Sequence, residues 1–213
     1  MLINEKKEIF RAYAKRALKT DAARRPKCAH TALARQTARL VSNLISNLNR
    51  KNVLLFAPLF YEPDLLAFRR YLCQKKCKLF LPFMVDESLK MVKLRLPFSR
   101  AKFGVREAGD SLAHTGAADV AVIPVIGADA SLARIGHGKG YYDRFIGSLP
   151  RRPIIIFVSI KDLFSNLKLC EPHDIRCDFY ITPTKKYLKV KNDRSHRGRV
   201  LHCGGRGNWV FCR

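Results

Sequence analysis

Between Glu5 and Lys19 the apolar residues Ile9, Phe10, Tyr13, Ala14, Ala17 and Leu18 recur at three- and four-residue steps, with Lys6, Lys7, Arg11, Lys15 and Arg16 outside that stripe. This period predicts an amphipathic helix over residues 5–19. A polar break at Thr20-Asp21 and Pro26 precede a second helix near 29–49, whose Leu33, Leu40, Val41, Leu44, Ile45 and Leu48 share one face. Residues 52–57 then read as a buried strand entering a turn at Pro58, and Pro63 to Cys73 as a helix with proline in its first turn. Apolar runs at 78–82, 119–124, 154–158 and 178–182 predict further strands, and Leu89 to Leu94 alternates roughly as a strand does. Residues 97–117 carry no sustained period, and a last helix runs from Tyr141 to about Leu149.

Strands alternating with helices define an α/β protein. The arrangement expected is a layered α/β/α sandwich with a largely parallel central sheet, ligand lying at the carboxyl ends of its strands. From Lys185 the pattern dissolves into basic, glycine-rich sequence, including Ser195-His196-Arg197-Gly198-Arg199 and Cys203-Gly204-Gly205-Arg206-Gly207. One domain is therefore expected over 1–184, and an irregular, solvated, mobile basic tail over 185–213. Trp209-Val210-Phe211 is the one part of that tail able to dock on the body.

A chain of 213 residues with 47% hydrophobic content suits one packed domain. No apolar run approaches the roughly 20 residues of a membrane span, and the charged first helix has no signal-peptide core, so a cytoplasmic protein is expected. Seven cysteines without a regular framework suit reduced thiols. His202, Cys203 and Cys212 lack a fourth partner for a zinc site. The net charge is +24; nine Lys/Arg against Asp193 put +8 of it in residues 185–213 and leave +16 on the body. Such a field gathers anions, whether nucleotides, polyglutamyl folates or nucleic acid, without choosing among them.

The choice comes from Arg134-Ile135-Gly136-His137-Gly138-Lys139-Gly140-Tyr141-Tyr142-Asp143. Alternate glycines let backbone amides approach an anion, and the helix that follows adds its dipole. Arg134 and Lys139 supply positive charge, and Asp143 places a carboxylate beside the same anion. Lys139 precedes Gly140 and not Ser or Thr, which excludes a Walker A loop; the glycine spacing also fails the dinucleotide fingerprint.

This decapeptide closely resembles the R-x-G-x-G-x-G-Y-Y-D signature of the 5-formyltetrahydrofolate cyclo-ligase (methenyltetrahydrofolate synthetase) family. The resemblance runs over about residues 5–183. Lys7 and Arg11 match a Lys-x-x-x-Arg pair, although a solvated helix face has the same spacing. Tyr61-Glu62-Pro63-Asp64 matches a segment whose glutamate meets the pterin, and Glu62 also suits the first turn of a helix. Phe103-Gly104-Val105-Arg106-Glu107 resembles a folate-covering segment, with Phe103 equally suited to anchoring a loop. Glu171-Pro172-His173-Asp174 resembles a fourth element, where Asp174 is either a metal ligand or a turn residue. The approach to the glycine loop departs from the family: Gly127 replaces the glycine after Pro124, and Ser131-Leu132-Ala133 replaces a more polar turn.

The resemblance implies a ligase that uses ATP and Mg2+ to cyclise 5-formyltetrahydrofolate, including polyglutamylated forms, to 5,10-methenyltetrahydrofolate with release of ADP and phosphate. It assigns ATP to Lys7, Arg11, Arg134, Ile135, Gly136, His137, Gly138, Lys139, Gly140, Tyr141 and Tyr142. Folate falls to Ala57, Glu62, Phe103 and His137, together with Gly138, Lys139, Gly140 and Tyr141 of the loop. Arg134, Lys139 and Tyr141 are the expected catalytic residues, Asp143 and Asp174 the expected metal ligands, and a monomer the expected state. The rival is a basic nucleic-acid-binding protein on a degenerate cyclo-ligase fold, reaching RNA through its Arg-Gly tail.

Overall fold

The computed structural model describes residues 3–24, 27–46, 48, 51–85, 88–94, 98–100, 106–108, 117–190 and 199–204. Two helices, α1 (Ile3–Arg24) and α2 (Lys27–Ile45), lead to β1 (Asn52–Leu54). Asp64 then accepts a hydrogen bond from the Leu66 amide at 2.9 Å and starts a 3-10 turn (Leu65–Phe68) that runs into α3 (Arg69–Gln74). Strands β2 (Lys78–Val85), β3 (Ser88–Lys93), β4 (Phe98–Arg100), β5 (Arg106–Ala108) and β6 (Val120–Pro124) follow. Next come the short pair β7 (Gly127–Ala128) and β8 (Arg134–Ile135), then α4 (Tyr141–Ser148). The chain continues through β9 (Ile154–Val158), β10 (Phe179–Ile181), β11 (Lys185–Val190) and β12 (Arg199–Gly204).

Eight strands form the main sheet in the order β12-β11-β10-β9-β6-β1-β2-β3. The five from β10 to β2 run parallel, and β3, β11 and β12 are antiparallel additions at the edges. Parallel strands are covered on both faces, which is why these segments are apolar almost throughout. Alternate residues divide between two cores. Val53, Leu55, Val120, Val122 and Ile156 pack with Ala14 and Leu18 of α1, Leu33 and Val41 of α2 and Leu72 of α3. Leu54, Ala121, Ile123, Ile155 and Phe157 pack on the opposite face with Phe145 and Ile146 of α4. Three layers result, as expected.

From β1 the chain first builds outward to β2 and β3, then returns to lay β6 on the other side of β1. The sheet order reverses between β1 and β6, and a crevice opens at the carboxyl ends of two such strands. Tyr61 and Glu62 follow β1, and the glycine loop follows β6. Topology alone brings the two motifs to the same place.

Helix α1 is longer than the periodicity predicts. It passes through Thr20, whose hydroxyl donates to the Arg16 carbonyl at 3.0 Å and so stays within the helical pattern. Its buried stripe is also narrower: Ala14 and Leu18 are buried and Phe10 and Ala17 partly so, whereas Ile9 and Tyr13 are 60% and 53% exposed. Phe10 turns inward over Gly127, where an added Cβ would meet its ring at 2.7 Å.

The boundary expected at residue 184 is not a break in the sheet. β11 pairs with β10 through Phe179–Leu188, Tyr180–Tyr187 and Ile181–Lys186, and β12 pairs with β11. Tyr187 is 2% exposed, stacks on Phe164 and Tyr180 at centroid distances of 4.5 and 5.4 Å, and donates to Asp162 at 2.8 Å. Its charged neighbours concealed the strand, because an antiparallel strand can bury one face and leave the other polar. Residues 191–198 and 205–213, including Trp209-Val210-Phe211, lie outside the described residues.

If β11 is part of the folded body, Tyr187→Ala should destabilise the protein by about 3–5 kcal/mol, as for other buried aromatics. The thermal midpoint should fall by on the order of ten degrees. A melt unchanged by this substitution would remove β11 from the fold.

Candidate active site

The glycine loop is organised around a buried cation. Arg134 is 7% exposed, and its guanidinium donates through Nη2 and, at 3.4 Å, through Nε to the Asp143 carboxylate one turn into α4. The same guanidinium lies 5.5 Å from the centroid of the Tyr142 ring. Gly136 makes room for it: a Cβ there would sit 2.5 Å from Arg134 Nη1. Gly138 and Gly140 answer a different need, with φ of +100° and +66°, values that L side chains rarely adopt. Gly140 is the N-cap of α4, so the loop ends where the helix dipole is positive.

Burial opposes the Asp143 charge, yet the hydrogen bonds and charge of Arg134 and the Ile175 amide at 3.2 Å outweigh it and hold the carboxyl below its usual range. Helix α1 forms the facing wall. Lys7 Nζ meets Asp174 Oδ2 at 2.5 Å, Arg11 Nε donates to the Gly136 carbonyl at 2.9 Å, and Lys15 Nζ donates to the His137 carbonyl at 3.4 Å. Asp174 also accepts the Glu171 amide at 2.8 Å. Between these walls lies a cleft of about 230 Å³, bounded by Lys7, Arg11 and Arg134 on one side of the charge balance and Asp143 and Asp174 on the other. Cations predominate, as a polyphosphate ligand requires.

Glu62 stands at the β1 side of the crevice. Its Oε2 accepts the Leu59 amide at 2.9 Å, and burial, only partly offset by that bond, pushes its pKa up to about 7. Next to it, the Tyr61 hydroxyl lies 3.5 Å from His137 Nε2. Burial raises the Tyr142 phenol, with Glu62 raising it further and Arg134 lowering it. The glutamate and the arginine therefore act on one phenol in opposite directions. His137 has the opposite problem. Desolvation of the ring first, then the charges of Lys15, Arg134, Arg11 and Lys19, lower its pKa to about 4, although the residue as a whole is exposed.

Of the residues expected from sequence, Lys7, Arg11, Arg134, Gly136, Gly138, Gly140, Asp143 and Asp174 line this one cleft. Ile135 is buried beneath the loop, Lys139 is exposed, and Tyr141 is half-buried with the Arg144 guanidinium 5.4 Å from its ring centroid. Ala57 is half-buried at the exit of β1. Phe103 lies outside the described residues. Lys15 and Arg144 were missed; both are cations one helical turn from residues already singled out, Arg11 and Tyr141, and that spacing was the available signal. Among the described residues no three His, Cys, Asp or Glu side chains gather as a metal cage. Cys73, Cys77, Cys170 and Cys177 are free thiols. No helix among the described residues is long and apolar enough to cross a membrane.

The model of the 5-formyltetrahydrofolate cyclo-ligase family matches residues 3–183, and the chain belongs to that family. It is 27% identical over 152 residues to a 5-formyltetrahydrofolate cyclo-ligase of Mycolicibacterium smegmatis, covering 66% of this chain and 78% of that protein. Two solved structures share the fold. A 5,10-methenyltetrahydrofolate synthetase from Mycoplasma pneumoniae aligns at TM-score 0.61 and 19% identity, over 82% of this chain and 97% of its own. The Aquifex aeolicus 5,10-methenyltetrahydrofolate synthetase aligns at TM-score 0.63 and 18% identity, over 88% and 99%.

The cation cluster around His137 has a direct readout. In ligand-free protein an NMR titration of the His137 ring should give a midpoint near 4, and saturating pyrophosphate should move it upward, toward the unperturbed value of about 6.5. Because the unfolded ring binds its proton at higher pH than the folded one, this residue lowers stability as pH falls from about 6.5 toward 4. A ligand-free midpoint near 6.5 would mean the cations are not gathered there.

Proposed function

We propose that this protein cyclises 5-formyltetrahydrofolate to 5,10-methenyltetrahydrofolate at the expense of ATP, in the presence of Mg2+, releasing ADP and phosphate. Family membership supports the reaction. The observation that carries it to particular residues is the meeting, at one switch point, of a cationic glycine-loop cleft with the half-buried carboxylate of Glu62. Phosphates suit the first and the amino-pyrimidinone edge of a pterin suits the second, because adjacent N–H groups pair with a carboxylate through two hydrogen bonds.

A formamide oxygen is a poor leaving group. Transfer of the γ-phosphoryl group of ATP to that oxygen turns it into one. The neighbouring folate nitrogen then attacks the formyl carbon and gives up its proton to solvent, the carbon–oxygen bond breaks, and phosphate leaves with the oxygen. No side-chain nucleophile is needed, so the protein contributes placement and charge. Lys7 and Arg11 hold phosphate oxygens from α1, and Arg134, Lys139 and the loop amides from Ile135 to Tyr142 hold them from the sheet side. Lys7 exchanges Asp174 for phosphate as it does so. Glu62 orients the pterin, with His137, Tyr141 and the loop backbone alongside and Ala57 and Phe103 shaping the pocket. His137 stays neutral at physiological pH, so it presents the folate with a hydrogen-bonding group and no further charge.

The donor set fits Mg2+. Asp143 and Asp174 are oxygen donors on one cleft, and Mg2+ takes one or two carboxylates while keeping phosphate oxygens and water. These two residues would hold it, and when bound it neutralises charge on the phosphates. The protein acts as a cytoplasmic monomer in this reading, and polyglutamylated folates are within its substrate class. A protein that bound RNA but turned over no folate would fit the rival reading instead.

Two outcomes follow from the assignments. Asp143→Asn should lower turnover at least about 10²-fold while the far-UV spectrum persists; wild-type turnover would detach Asp143 from the chemistry. For Glu62 the ionised form is the one that accepts two N–H groups. With its pKa near 7, 5-formyltetrahydrofolate affinity should fall by about tenfold per pH unit below that value. Glu62→Gln should bind weakly at all pH values and show no such slope. A slope that survives in this variant would assign the titration to another group.

A further inference from the structure

Asp129 is wholly buried, yet no role at the site has been given to it. Its Oδ1 accepts from the Ser131 amide at 2.8 Å, the Ser131 hydroxyl at 2.7 Å and the Ala133 amide at 3.0 Å. Its Oδ2 accepts from the Leu169 amide at 3.0 Å and the Cys170 amide at 2.9 Å. One carboxylate thus ties together two segments some 40 residues apart in the chain. Each segment leads directly into one arm of the cleft: Ala133 is followed by Arg134, and Cys170 by Glu171, whose amide donates to Asp174.

The joint continues beyond the carboxylate. The Arg134 amide donates to the Ile175 carbonyl at 2.9 Å, the Cys177 amide to the Leu132 carbonyl at 3.0 Å, and Cys170 Sγ to the Arg134 carbonyl at 3.4 Å. The turn that Asp129 closes is also under strain. Leu132 is 1% exposed and holds φ at +58°, in the left-handed region that a leucine seldom enters. A strained conformation persists only where its surroundings over-determine it. Here the carboxylate bonds the amides on both sides of Leu132. Burial works against the charge of Asp129, and the hydrogen bonds from Ser131, Cys170 and Ala133 outweigh it, so the carboxyl titrates below its usual range and stays ionised.

We infer that Asp129 is a positioning residue: its carboxylate sets the distance between the Arg134–Asp143 arm and the Asp174 arm, and so the fit of the cleft to nucleotide phosphates. This rests on the proposed ATP-dependent function for its ligand, though not for its geometry. Glu62 and Tyr61 follow β1 and take no bond from Asp129, so folate, held by Glu62 as well as by the loop, should lose less affinity than the nucleotide. A residue that merely held the fold together would weaken both ligands alike.

The test uses the full chain and Asp129→Asn, which keeps the volume but turns donor hydrogens toward buried amides. Three quantities are read: the Arg134 Nε–H signal in ligand-free protein, the Kd for Mg-ATP, and the Kd for 5-formyltetrahydrofolate. The Arg134 Nε–H signal should shift and lose exchange protection, Mg-ATP should bind at least about tenfold more weakly, and folate affinity should fall by a clearly smaller factor. An unchanged Arg134 signal with unchanged Mg-ATP affinity would overturn the inference, as would equal weakening of both ligands. Should Asp129→Asn fail to fold, Ser131→Ala removes one hydroxyl donor only and should give the same selective pattern, with Mg-ATP weakened about two- to fivefold; no selectivity there overturns it too. If the wild-type protein itself fails to bind Mg-ATP, the proposed function falls, and the Arg134 signal still decides the role of Asp129.

Discussion

A guanidinium that is almost completely buried has to be neutralised where it lies, and much of the site follows from how this chain does so. Arg134 is met by Asp143 from the first turn of α4, by the face of Tyr142, and by a backbone with no Cβ at Gly136. Removing one partner of such a pair leaves the other charge uncompensated, at a cost of about 3–5 kcal/mol. The signature R-x-G-x-G-x-G-Y-Y-D is thus largely a description of one cation's surroundings. Its first glycine admits the guanidinium. The second and third allow the turns that bring Asp143 back to it.

The second wall is less firmly fixed. Helix α1 is anchored in the core by Ala14 and Leu18, and its N-terminal half meets the loop through Phe10 on Gly127 and three polar contacts, Lys7 to Asp174, Arg11 to Gly136 and Lys15 to His137. These contacts use the same cations that a polyphosphate would take. In the proposed reading, ligand-free protein keeps these cations paired internally, and phosphate binding exchanges one set of partners for another.

Much of this was legible in the sequence because it is local. The alternating glycines, the Tyr-Tyr-Asp that follows and the apolar strands are all readable from spacing, and a largely parallel sheet follows from strands separated by helices. What was not legible depended on distance in the chain. Nothing near Asp129 shows that Leu169 and Cys170 will donate to it, and Ser131-Leu132-Ala133 reads as a departure from pattern when it is a strained turn held by that carboxylate. Tyr187 was hidden for a related reason. Lys185, Lys186 and Lys189 around it read as tail, whereas their strand pairs with β10 and buries the tyrosine against Phe164 and Tyr180. Ile9 and Tyr13 show the converse: they fit the helical period and still face solvent.

The central claim is that the cationic cleft and Glu62 serve one reaction. Its most direct measurement is the growth of 5,10-methenyltetrahydrofolate absorbance from 5-formyltetrahydrofolate, with ADP followed in the same sample. Product should form only when ATP and Mg2+ are both present, with one ADP released for each folate cyclised. ADP release without folate product, or no product with all three components present, would contradict it.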